Sequence, residues 1–181
     1  SCHRSWYCLR YSYFRKSLDL IVGVTGDTHN NLKNIKQICS LFNKKKADLV
    51  LHTGDISLPK SLLAFKDLSC PLIAIYGNND LPEKKGLKEA AKLFDCKIFE
   101  EPYSINLKNK KIIILHHPEL IDDKMTLSND IILHGHTHRY RLEKINDCLI
   151  FNPGECAGIM KGKNQIGLVD LNLTKIEVLN F

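Results

Sequence analysis

The sequence predicts an α/β sandwich with a helical outer layer, and three observations lead there. Short apolar runs rich in β-branched residues alternate with amphipathic helical stretches through the first half, and closely spaced strand-like runs fill the second. A short polar cluster follows several of these runs: Asp27-Thr28-His29, Gly54-Asp55, Gly77-Asn78-Asn79-Asp80, His116-His117 and Gly135-His136-Thr137-His138.

Residues 18–25 form the first apolar run and end in Gly26, a buried strand followed by a loop. Residues 30–46 then carry Leu32, Ile35, Ile38, Leu41 and Phe42 at helical spacing, with Asn30 or Asn31 available as the cap. This strand, loop, helix unit recurs over residues 47–53, Gly54-Asp55 and a helix holding Leu62, Leu63 and Phe65. It recurs again over residues 71–76, the cluster at 77–80 and a helix at 85–94. Such alternation argues for a mostly parallel sheet. Beyond Cys96, strands are expected at 103–107, 111–115, 130–133, 139–144, 148–151, 167–171 and 175–179. They read as hairpins, with turns at Lys108-Asn109-Lys110, Asn146-Asp147 and residues 172–174.

A content of 44% hydrophobic and 25% charged residues is that of an ordinary soluble globular protein, and 181 residues suffice for one core. The net charge of +6 overstates the basicity, because residues 1–19 alone carry +3. What remains falls short of the concentrated basic face of a dedicated nucleic-acid binder. Seven cysteines form no CxxC pair, are odd in number and suit a reducing cytosol, so a cytoplasmic location is expected. No apolar run approaches the ~20 residues of a bilayer crossing, so no membrane partner is expected. Residues 1–17, where Trp6, Tyr7, Tyr11, Tyr13 and Phe14 interleave with basic residues, lack the apolar region of a signal peptide. They read as a disordered extension or upstream remnant, leaving residues 18–181 as a single domain.

Each cluster falls at what would be the carboxyl end of a strand, where open α/β sheets place their ligand sites. Residues two apart on extended chain face the same way, so Asp27 with His29, and His136 with His138, can converge on one site. Carboxylates, one amide oxygen and imidazoles suit a borderline divalent ion such as Mn, Fe, Ni or Zn, and the lack of thiolates argues against structural zinc. Taken singly, Asp27 could merely cap a helix and Asn78-Asn79 could merely form a turn. The joint occurrence of the clusters outweighs those readings.

The ordered set DxH, GD, GNxD, H and GHTH, from about residue 18 to the C-terminus, resembles the calcineurin-like metallophosphoesterase superfamily, and its small single-domain phosphodiesterase branch in particular. The loop Asn152-Pro153-Gly154-Glu155-Cys156 resembles one found in that branch. The resemblance implies a metallophosphoesterase-type β-sandwich of two mixed sheets flanked by helices. It implies that Asp27, His29 and His138 hold one divalent metal ion, that Asn78, His116 and His136 hold the other, and that Asp55 bridges them, with Mn the foremost metal. A hydroxide between two ions ~3.5–4 Å apart would attack phosphorus in line, with no protein nucleophile. The implied partner is a small phosphodiester, a nucleotide or nucleic-acid end included, and the chain is compatible with a homo-oligomer.

Many superfamily members have a histidine where this chain has Asn79, placed to contact phosphate or protonate the leaving group. An amide can donate a hydrogen bond but is no general acid near neutral pH. Asn79 therefore joins Asp55 as a catalytic candidate, and Asp80 is expected to orient a ligand or loop. His52 and His134, inside apolar strands, read as satisfied core or supporting histidines, and His117 could touch substrate. Arg139 could reach a phosphate or be a solvated strand-end residue, and Cys156 reads as a small packed residue. Outside enzymology, a protein-interaction scaffold of the same fold, as in a retromer subunit with an altered metal site, is the alternative. A scaffold would tolerate lost ligands, whereas all seven positions are filled here.

Overall fold

In the computed structural model, residues 19–181 are described, and the aromatic and basic stretch 1–17 lies outside them. Four strands, β1 (Ile21–Thr25), β2 (Leu49–His52), β3 (Leu72–Ile75) and β4 (Cys96–Phe99), run parallel in one sheet. The hairpin of β10 (Gln165–Asp170) and β11 (Lys175–Asn180) extends this sheet antiparallel to β1, giving the order β11-β10-β1-β2-β3-β4. A second sheet has the order β5-β6-β7-β9-β8, formed by β5 (Tyr103–Leu107), β6 (Lys110–Ile114), β7 (Ile131–Leu133), β8 (Arg141–Ile145) and β9 (Cys148–Asn152). Two mixed sheets flanked by helices are the architecture that the family resemblance implies.

Strand alternation builds the layers. Leu49 and Leu51 of β2, Ile73 and Ile75 of β3, and Ile112 and Ile114 of β6 share one apolar cluster between the sheets with Val24, Leu133 and Phe151. Their neighbours Val50, Leu72 and Ala74 point the other way, into a cluster with the helices. There α1 (Leu32–Lys44) contributes Ile35, Ile38, Cys39 and Phe42, a stripe at helical spacing whose members are fully buried. Asn31 caps α1, its Oδ1 accepting the N–H of Asn34 at 3.0 Å. Burying Phe42 alone stabilises the layer by about 1.5–3 kcal/mol.

Several expectations are corrected. The helix around Leu62 is only α2 (Pro59–Leu63), continued as a 3₁₀ turn over Ala64–Asp67, and the third helix is α3 (Lys84–Ala91). The sequence pattern predicts no strand at β4, an edge strand of four residues with only Cys96 buried, where alternation has no length to declare itself. Nor does it predict α4 (Asp123–Ser128), one and a half turns started by Asp122, whose side chain accepts from Met125 N–H. Three hairpins stand as expected, but β7 pairs in parallel with both β6 and β9. That parallel pairing requires the crossover that α4 supplies, packing Met125 and Ile121 on Ile113 and Ile132.

Candidate metal centre

Six strands send their carboxyl ends to one edge of the sandwich. The segments following β1, β2, β3, β6, β7 and β9 carry respectively Asp27 and His29, Asp55, Asn78 to Asp80, His116, His136 and His138, and Glu155. Asp27, Asp55 and His116 are buried, His29 and His138 are half-buried, and Asn78, Asn79 and His136 are exposed. The cluster is therefore a cleft with a carboxylate floor and an open mouth.

All seven residues expected as ligands are brought together. On one side Asn78 Oδ1 lies 2.9 Å from His116 Nε2 and 3.2 Å from His136 Nδ1, and those two nitrogens are 3.2 Å apart. On the other side His29 and His138 stack, Nε2 to Nε2 at 3.4 Å, with His138 Nε2 3.9 Å from Asp27 Oδ1. Asp55 Oδ2 stands between the two sides, 3.5 Å from His116 Nε2 and 3.8 Å from His29 Nε2. Atoms that all carry lone pairs repel at such distances unless a proton or a cation lies among them. Spacings near 3 Å are those of donors sharing one ion with bonds of about 2.1 Å, so the donor set fits divalent metal. Among the described residues, Asp27 and Asp55 pair only with histidines, and no lysine or arginine neutralises this floor.

The rings are aimed by their second nitrogens. His116 Nδ1–H donates to Thr53 O at 2.9 Å, His138 Nδ1–H to Glu155 Oε2 at 2.9 Å, and His29 Nδ1 shares a hydrogen bond of 3.1 Å with Ser57 Oγ. Each contact leaves Nε2 facing the cleft, the orientation that a metal-ligating imidazole requires.

The backbone is bent for the same purpose. Asp27, His29, Asp55, His136 and His138 all have φ between +45° and +73°, a region costing about 1–3 kcal/mol per non-glycine residue and found where a site dictates the backbone. Asp80 fixes one of these bends. Its buried carboxylate accepts the N–H groups of Asp55 (2.9 Å) and Gly77 (2.7 Å) on Oδ2, and of Ile56 (2.8 Å) and Ser57 (2.6 Å) on Oδ1. Both oxygens are thereby occupied behind the cleft, so Asp80 positions Asp55 and does not face the mouth. Gly77 has no room for a side chain, since a Cβ there would fall 2.2 Å from Asp55 Oδ1. His52 ties two ligand loops together: its Nδ1 accepts from Gly54 N–H at 3.1 Å and its Nε2–H donates to Thr28 Oγ1 at 2.9 Å.

Charge and burial compete across the floor. Burial lifts the Asp27 carboxyl to about 6, against the pull of His116 and His138. Burial also opposes ionisation of Asp55 and protonation of His116, but the two groups outweigh it together. Hydrogen bonding and charge from His116, with the amide and N–H of Asn79, hold Asp55 well below the carboxylate range. Asp55 and Asp27 in turn lift His116 to about 9. His29 and His136 are pushed down, chiefly by burial.

Two carboxylates escaped the sequence reading as orienting groups. In the sequence Glu155 is only one residue of the loop at 152–156, and nothing local marks Glu101. Glu101 Oε2 accepts the N–H of His116 at 2.6 Å and of His117 at 3.0 Å, and Oε1 accepts from His117 Nδ1. His117 thus packs beside the site, its ring centroid 4.8 Å from those of His116 and His136. Asn79 lies at the mouth with its Nδ2 donating to Asp55 Oδ2 at 2.7 Å, and Arg139 is exposed beyond His138. His134 is buried, Nδ1–H donating to Gly135 O, and Cys156 is packed away with its thiol pushed up to about 12 by burial.

The chain is similar to known proteins in sequence and in fold. The phosphodiesterase MJ0936 of Methanocaldococcus jannaschii is 34% identical over 153 residues, 82% of this chain and 92% of its own length. The solved structure of an archaeal phosphodiesterase matches 90% of this chain and 100% of its own with a TM-score of 0.78 and 29% identity. Vps29 of Chaetomium thermophilum shares the fold, with a TM-score of 0.65 at 15% identity over 90% of this chain and 94% of its own. With the calcineurin-like phosphoesterase superfamily domain matching residues 20–174, the chain belongs to that superfamily.

Proposed function

We propose that the chain is a dinuclear metal-dependent phosphodiesterase acting on small or activated phosphodiesters. Asp27, His29 and His138 hold one ion, Asn78, His116 and His136 the other, and Asp55 bridges them. The observation that carries this reading is the place of Asp55 Oδ2, within 3.8 Å of a ring nitrogen from each half of the cluster. The phosphodiesterase MJ0936, similar over most of both chains, supports the diester specificity. Manganese is the foremost metal, with nickel, iron or zinc as alternatives, since N/O donor sets discriminate weakly among them.

When bound, a pair of divalent ions lowers the pKa of a shared water and neutralises charge on the phosphoryl oxygens. The chain supplies the rest. Thr53 O, Ser57 and Glu155 hold three imidazoles in the tautomer that presents Nε2. Asp80 holds Asp55 through its backbone. One hydrogen of Asn79 Nδ2 goes to Asp55 Oδ2, the other is the donor offered to an oxygen entering the mouth, and the amide has no proton to give up near neutral pH. No helix of the described residues is long and apolar enough to cross a membrane, and a cytoplasmic location is part of the proposal. Residues 18–181 act as one domain in this reading, and deleting residues 1–17 leaves catalysis intact.

The test is metal content and hydrolysis of bis-p-nitrophenyl phosphate by wild type and Asp55→Ala. The variant is expected to hold one ion or none and to lose hydrolysis, and full activity in it refutes the ligand assignment. A wild type inert with Mn, Ni, Fe and Zn alike would instead support a scaffold role on the fold shared with Vps29.

A further inference from the structure

A groove of about 330 Å3 opens from the metal centre on its His138 side. Its inner wall is His138 and Glu155, and its outer wall is Arg139, Tyr140, Met160 and Lys163. Glu155 brings one buried negative charge, with its Oε2 engaged by His138 and its Oε1 accepting Ile159 N–H at 3.3 Å. Arg139 and Lys163 are exposed, and no ion pair is formed by either among the described residues. Two exposed cations against one buried carboxylate leave the groove net cationic beside a site that takes an anion. It also offers apolar surface: Tyr140 is 51% exposed and its ring meets the buried Phe151 edge-on, with centroids 6.4 Å apart, and Met160 is 42% exposed.

The outer wall is tied to the metal centre. The segment carrying Met160 and Lys163 leaves directly from Glu155, whose carboxylate orients His138. It is fastened to the start of α1 by Asn31 Nδ2 donating to Ala157 O at 2.8 Å and Asn34 Nδ2 donating to Cys156 O at 2.9 Å. A ligand in the groove thus has a fixed register relative to the cleft. The volume is at the small end of the about 300–1,000 Å3 typical of ligand sites, room for one nucleoside-sized group.

We propose that this groove is a subsite for one arm of the diester, a nucleoside carrying a second phosphate, as at the end of an oligonucleotide. Tyr140 and Met160 lie against the base, and Arg139 and Lys163 take the second phosphate, Arg139 through its planar fork. The proposal rests on the phosphodiesterase reading and narrows its substrate class.

The test compares thymidine 5′-(p-nitrophenyl phosphate) with the same diester bearing a 3′-phosphate. Wild type is expected to favour the phosphorylated compound about tenfold in kcat/KM, the size of one charge-assisted hydrogen-bond contact. The double variant Arg139→Gln/Lys163→Gln should bring that ratio near one, whereas Lys44→Gln/Lys46→Gln, equal in charge and placed at the far end of α1, should keep it. Binding of thymidine 3′,5′-bisphosphate relative to thymidine 5′-phosphate, measured by calorimetry on metal-loaded protein, should follow the same pattern. A wild-type ratio near one, or one that survives the double substitution, overturns the subsite. If bis-p-nitrophenyl phosphate is not hydrolysed at all, the phosphodiesterase reading fails, and the calorimetric comparison alone decides the groove.

Discussion

Glu155 Oε2 lies 2.9 Å from His138 Nδ1, and Glu155 is buried to 2% exposure while doing so. This carboxylate fixes which nitrogen of His138 faces Asp27. Replacing it by glutamine keeps the shape and one acceptor oxygen but removes the negative charge that raises the basicity of the ring. Glu155→Gln is expected to weaken metal binding by about 10–100-fold while the fold survives. Calorimetric titration of the metal-free protein with manganese measures this, and unchanged affinity would show that Glu155 only fills space.

Asp80 is the hub of the Asp55 bend, with four backbone N–H groups converging on one buried carboxylate. An asparagine there turns an NH2 toward two of those donors. At about 1–3 kcal/mol for each donor left unsatisfied, Asp80→Asn should cost about 2–6 kcal/mol of stability. Urea unfolding gives the number, and a cost within error of zero would mean that the Asp55 bend holds without this hub.

The clusters were legible because each is short, polar and placed after an apolar run, so Asp27, Asp55 and His136 stood out from their neighbours. The frame between them was less so. Glu101 and Glu155 reach their histidines across 16 and 17 residues of chain, and no local pattern marks a carboxylate whose partner lies in another loop. The left-handed backbone at five ligands is likewise hidden, since Asp and His tolerate it better than most residues but adopt it only where tertiary contacts demand it. The edge strand β4 and the short α4 draw their stability from packing, which a four- or six-residue window does not display.

His52 makes the metal-free protein sensitive to acid. Burial pushes its imidazole down to about 3, while the unfolded chain takes up a proton near 6.5. The unfolded state therefore binds more protons through this window. The contribution of neutral His52 is complete above about pH 6.5 and is lost as pH falls, by about 1.4 kcal/mol per unit. His52→Gln can accept from Gly54 and donate to Thr28 without titrating. The stability of wild type relative to this variant should thus fall by roughly 2 kcal/mol between about pH 7.5 and about pH 5. A difference that stays constant across that range would show that His52 does not titrate in this way.

Asn79 sets the leaving groups that the site can expel. Its backbone N–H and one hydrogen of its Nδ2 donate to Asp55, at 2.9 Å and 2.7 Å, so the side chain is held as a hydrogen-bond donor beside the cleft. A p-nitrophenolate departs without a proton, whereas the poorer leaving groups of ordinary monoesters need one from a general acid. An imidazole at this position can supply it near neutral pH, a contribution typically of about 10²–10⁴-fold. Asn79→His should therefore raise the rate on alkyl phosphate monoesters relative to bis-p-nitrophenyl phosphate by at least about tenfold. Because the substitution also removes an amide donor from Asp55, metal content has to be measured on the same sample. A fully loaded variant with an unchanged ratio would mean that proton delivery at position 79 does not limit monoester turnover.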